Sequence, residues 1–231
     1  MVSPAEAAKF RRANQQLQNR IERDVRRLWT ALDASNPEGM RDALLDYVPG
    51  LVDKYGQVAA VVAAEYFEET TGVSATVADT FSAGAVQGSV RYYAGGLWTG
   101  EAGKVLAGVT AAASRHMLQF GRTTIYDSTR RHSSLRYARV PEPGACSWCL
   151  MLSSRGAAYA SEQSAGGEGN DYHDDCGCDP VAVRDDSELP YDYEDLYEKY
   201  TRAREADIEG APAGYTDKAI AARMRNLLGT R

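Results

Sequence analysis

The chain has 231 residues, 26 Lys and Arg against 32 Asp and Glu, a formal net charge of −6 and a hydrophobic fraction of 44%. These proportions exclude an intrinsically disordered chain, and the acidic balance argues against nucleic-acid binding as its main task. No apolar run approaches the roughly 20 residues that span a bilayer, since Val58 to Ala64 runs straight into Glu65, Glu68 and Glu69. The segment Met1 to Glu6 lacks the basic-then-apolar order of a secretory signal, so a reducing cytoplasm is the expected place of synthesis.

From Ala5 to Leu32, apolar residues fall at Phe10, Ala13, Leu17, Ile21, Val25, Leu28 and Leu32, which predicts one long amphipathic helix. Its first 30 residues carry Lys9, Arg11, Arg12, Arg20, Arg23, Arg26 and Arg27 against Glu6, Glu22 and Asp24. Such a face suits a solvated helix, and it can also meet phosphate or an acidic protein surface. Asn36-Pro37 supplies the cap and first position of a second helix, where Pro49 predicts a kink or a break. The small-residue stretch Ala75 to Val90 is expected to be helical. Glu101 to Ser133 reads as a further long helix with Val105, Val109, Ala112, Met117 or Leu118, and Phe120 toward the core.

The texture changes at Leu135. Residues 135–140 predict a short strand, and Pro141 to Gly144 a turn. Ser161 to Asn170 predicts a flexible loop, and Pro180 to Arg184 a returning strand. An acidic helix over Tyr191 to Ala206, a linker at Gly210 to Gly214 and a last helix from Asp217 to Leu228 complete the chain. The expected fold is mainly α: an N-terminal helical bundle, a small α+β knuckle and C-terminal helices.

All four cysteines lie between 146 and 178, as Cys146-x2-Cys149 and then His173-x2-Cys176-x-Cys178. Zn²⁺ wants four soft or borderline ligands in a tetrahedron, and two such groups supply five candidates for four places. Disulfides and a cysteine nucleophile paired with His173 are weaker readings, because nothing indicates export and no orienting third residue is evident. A thiolate-rich site is a poor Lewis acid, and neither H-E-x-x-H nor the deaminase order of motifs is present. The zinc is therefore expected to be structural. His116 reads as packing or surface, His132 as a helix-end residue favoured by the macrodipole, and Trp148 as packing over the knuckle.

Helices followed by this Cys/His pattern, with Arg139-Val140-Pro141-Glu142-Pro143-Gly144-Ala145 leading into Cys146, resemble the head-morphogenesis or minor capsid proteins similar to phage Mu's F protein, in an actinobacteriophage branch. In that group the second half commonly reads His-Pro-Asn-Cys-Arg-Cys; here it is His173-Asp174-Asp175-Cys176-Gly177-Cys178, without the Pro and the Arg. The resemblance implies a structural protein of the capsid interior or portal vertex. Residues 1–134 would meet portal or capsid, 135–190 would form the zinc-binding module, and 191–231 an acidic helical tail. It implies portal, major capsid or scaffold proteins as partners, DNA contact by the basic first helix, and no membrane. Similar proteins are sometimes labelled capsid maturation proteases, which is the alternative activity, although no Ser/His/Asp or Ser/Lys arrangement stands out.

Overall fold

A computed structural model describes residues 2–79, 81–157, 176–206 and 216–230. The first helix, α1 (Pro4–Ala31), begins at a capping box that the sequence reading overlooked. The Glu6 backbone N–H donates to Ser3 Oγ, and the Ser3 backbone N–H donates to Glu6 Oε2 at 2.7 Å. Its buried stripe is Ala7, Phe10, Asn14, Leu17, Ile21 and Val25, the expected face with one polar member.

Asn36 caps α2 (Pro37–Thr71) as expected, its Oδ1 accepting the Gly39 N–H at 2.9 Å. Of the kink or break expected at Pro49, the break is absent: α2 is continuous through it. A proline removes the donor that the carbonyl four residues earlier would use. That carbonyl, on Leu45, instead accepts from Gln87 Nε2 on the neighbouring helix at 3.2 Å. Gln87→Leu should therefore destabilise the protein by about 1–2 kcal/mol, measured as a loss in urea unfolding free energy. An effect no larger than that of an exposed control substitution would refute this account.

The helix expected over Ala75 to Val90 is also corrected, because only α3 (Ala83–Ala94) is helical. Residues 74–79 run as irregular chain held by α4 (Ala102–Arg130). Ser128 Oγ accepts the Thr76 N–H at 2.8 Å and Thr124 Oγ1 accepts the Ala78 N–H at 3.0 Å. Side-chain hydroxyls have replaced the helical partners of these backbone groups.

Helices α1 to α4 enclose a core of Leu17, Ile21, Leu44, Val52, Val90, Val109 and Met117, among others. Full burial of each such side chain contributes about 1.5–3 kcal/mol. α2 and α4 meet along small residues. A Cβ on Gly121 would stand 3.0 Å from the Ala59 carbonyl oxygen, so glycine permits the close approach.

The expected strands form one antiparallel ribbon of β1 (Arg136–Val140) and β2 (Asp179–Val183), registered from Arg136 opposite Val183 to Val140 opposite Asp179. Its apolar side joins a second cluster that includes Phe10, Tyr66, Phe67 and Ile125 from the long helices. After β1 comes the short α5 (Ser147–Ser153), and after β2 come α6 (Tyr193–Glu205) and α7 (Asp217–Leu228). Met151, Leu152, Leu196, Ala203, Ile220 and Met224 bind these three into a third cluster. Buried Arg223 on α7 donates through Nε to the Ala203 carbonyl and through Nη2 to that of Arg204, which satisfies the end of α6. The loop expected at 161–170 and the linker at 210–214 fall outside the described residues.

Candidate metal centre

The ribbon register places the site. Its last pair is Val140 opposite Asp179, so the chain leaving β1 and the chain entering β2 lie at the same end. From there Pro141 to Ala145 turns, with Gly144 at φ +79° and the Ala145 N–H donating to the Glu142 carbonyl. Cys146 then takes the cap position of α5 in extended conformation, and Cys149 sits in the helix's first turn. Cys176 and Cys178 arrive from the other side, just before β2.

Cys149, Cys176 and Cys178 are buried, and their Sγ atoms lie within 4.8 Å of one another. The Cys149 and Cys176 sulfurs are 3.4 Å apart and unbonded, and the cysteines are free thiols. Sulfurs around a tetrahedral Zn²⁺ sit about 3.8 Å apart, given Zn–S near 2.3 Å. Three of the five residues expected at the site are thus already gathered at metal-binding separation. Cys146 packs against them half-buried, along with Leu150. His173 lies outside the described residues.

The thiols interact strongly. Hydrogen bonds from Cys149 and Cys178 hold the Cys176 thiol far below its usual range, at about 2, with help from the Arg122 charge. Hydrogen bonding with Cys146 leads the effects that push Cys149 far upward. At Cys178 the Cys149 hydrogen bond acts downward, but Cys176 and burial outweigh it and push the thiol up to about 12. Without a cation, burial and these contacts favour the protonated form of Cys149 and Cys178. A bound divalent ion would let both ionise, so the donor chemistry fits a soft metal.

Residues far away in sequence hold the two cysteine segments. Arg122 of α4 is almost wholly buried, and its Nη2 donates to the Cys176 carbonyl at 2.7 Å and reaches that of Cys178 at 3.5 Å. The Gly177 N–H donates to Glu142 Oε1, tying the second segment to the turn of the first. Asp179 accepts from Arg11 Nε at 3.0 Å and from Asn14 Nδ2 at 2.8 Å, while Arg11 Nη2 donates to the Pro141 carbonyl. Burial pushes the Asp179 carboxyl up, against the pull of Asn14 and Arg11. The sequence reading missed this whole set; the one available signal was an acidic residue directly after Cys-x-Cys.

The other histidines take structural places. His116 Nε2 lies 2.9 Å from Ser89 Oγ and clasps α4 to α3. Both residues sit inside helices, whose N–H groups are spent on the helical ladder, so no backbone donors are left for an oxyanion. His132 stands just past the end of α4, its Nε2 3.3 Å from the Ser74 carbonyl. Trp148 packs on the cluster formed by α5, α6 and α7 and not over the thiols.

Helical bundle, ribbon and buried thiol centre together define a mainly α protein with a small cysteine-bearing α+β module. The chain belongs to the VG15 protein family, whose match covers residues 1–203, and this is a family of viral and phage proteins. No curated protein and no solved structure matches the chain. Among the described residues, no helix is long and apolar enough to cross a membrane.

Proposed function

We infer that the protein is a structural, non-enzymatic component of a phage head, of the kind similar to phage Mu's F protein. In this reading the metal is Zn²⁺, held by thiolates drawn from Cys146, Cys149, Cys176 and Cys178 with His173 as the remaining candidate, and it braces the ribbon against the bundle. The helical region at 1–134 meets portal, major capsid or scaffold protein, 135–190 is the zinc-binding module, and 191–231 is an acidic tail. The protein is carried in the capsid interior.

The observation that supports a brace is the setting of the thiol cluster. Its sulfurs are buried, and its flanking backbone is fixed by Arg122, Glu142 and Asp179. A sulfur-rich, enclosed centre gives structural stability rather than Lewis-acid chemistry. Membership of a phage protein family supports the setting.

Metal analysis tests the first half: purified protein should hold about one equivalent of zinc, and Cys149→Ser should release it. A folded wild type without metal would refute the brace. Co-expression with the portal and capsid genes of the same phage tests the second half, with co-purification expected. Absence of the protein from both portal complexes and virions would overturn the assignment. Specific cleavage of capsid precursor, abolished by one substitution that leaves fold and metal intact, would establish the protease reading in its place.

A further inference from the structure

The outer face of α1 has no covering element. Arg12, Gln15, Gln16, Asn19, Arg20, Arg23 and Arg26 are all exposed along it, and the four arginines have no ion-pair partner among the described residues. Of the acids on α1, Asp24 accepts the Tyr55 hydroxyl and pairs with Arg27, Glu6 caps the helix, and half-exposed Glu22 flanks the row beside Arg26 without an ion pair to it. A row of guanidinium groups therefore faces solvent over about four turns.

The opposite charge pattern lies on α6. This helix buries Leu196 and Ala203 and turns Glu194, Glu198 and Glu205 outward, with exposed Arg202 between the last two, and none of the three glutamates is paired among the described residues. Tyr197 is 50% exposed between the first two. Asp195, by contrast, is bound to Lys199. α1 and α6 are not among the closely packed pairs of elements within one copy.

The two rows match in spacing. Arg12, Asn19 and Arg23 fall at steps of seven and four residues. Read in the opposite direction, Glu205, Glu198 and Glu194 fall at the same steps. In an α-helix both sets lie close to one line along the surface. The geometry points to a second copy of this chain as the occupant: α1 of one molecule docks antiparallel on α6 of another. Arg12 then meets Glu205, Asn19 meets Glu198, Arg23 meets Glu194, and exposed Tyr197 offers its ring to a guanidinium of the row. Like faces repel, so the contact joins unlike surfaces, as in rings or chains of subunits. The inference does not depend on the metal centre.

Sedimentation velocity of the full chain tests it. Self-association should appear below about 100 μM protein at about 50 mM NaCl, and weaken at least about tenfold at about 500 mM as exposed charges are screened. Arg12→Glu with Arg23→Glu, and separately Glu194→Arg with Glu205→Arg, should each give monomers with unchanged circular dichroism. An equimolar mixture of the two variants restores complementary faces and should regain the complex. A monomeric wild type at low salt, an assembly indifferent to these reversals, or a mixture that stays monomeric would each overturn the proposal. Duplex DNA is the control ligand: a monomeric wild type whose DNA binding is lost with Arg12→Glu and Arg23→Glu would assign the row to nucleic acid.

Discussion

Asp179→Ala is expected to lower the unfolding free energy by about 2–3 kcal/mol, the cost of taking a charged acceptor from a buried amide and a half-buried guanidinium. Asp179 opens β2, its side chain is 9% exposed, and it holds Arg11 at 3.0 Å and Asn14 at 2.8 Å. Removing the carboxylate leaves the Asn14 amide without this acceptor and Arg11 with the Pro141 carbonyl alone. Both belong to α1, so the damage extends to its docking. Asp179→Asn keeps an acceptor of the same size and should cost less, about 1–2 kcal/mol. Urea unfolding of the three proteins measures the order. An alanine variant within about 0.5 kcal/mol of wild type would show that the pair contributes only what an exposed one does.

Arg122→Met is expected to cost about 2–4 kcal/mol and to weaken metal binding about 10- to 100-fold. The guanidinium lies beneath the Cys-x-Cys segment, fixes the Cys176 carbonyl, and favours the ionised form of that thiol. Methionine fills a similar volume but offers neither the hydrogen bonds nor the charge. Competition with a chromophoric chelator measures the affinity, and thermal unfolding with and without chelator separates it from general stability. If the variant loses stability but keeps wild-type metal affinity, Arg122 is a packing residue alone. Arg122→Lys restores charge without the planar fork, so it should recover only part of the affinity.

Most helices were legible from periodicity because their burial is local: one stripe, repeated every three or four residues, faces one core. The gathering of Cys149, Cys176 and Cys178 was legible for a similar reason, since their short spacings stand directly in the sequence. Arg122 and Arg11 were not legible. An arginine inside a helix looks like a surface residue until its partner is known, and the partners lie 54 and 168 residues away. That α2 runs unbroken through Pro49 was not legible for a related reason. The rule that proline breaks helices assumes an orphaned carbonyl, and the side chain that satisfies Leu45 comes from another helix. The chain at 74–79 has the composition of a helix, but α4 hydroxyls already occupied its backbone donors.

The contacts of α1 also fix an order of events during synthesis. α1 is made before the ribbon, yet Phe10, stacked on Tyr66, shares its cluster with Val181 and Leu189, and the Val2 N–H awaits the Glu188 carbonyl. Helices α1 to α4 can collapse on their own core while translation continues, but this end of α1 stays uncovered until β2 and the turn at Glu188 have been made. The nascent bundle thus carries an aromatic patch, Phe10 on Tyr66, that β2 closes over only later.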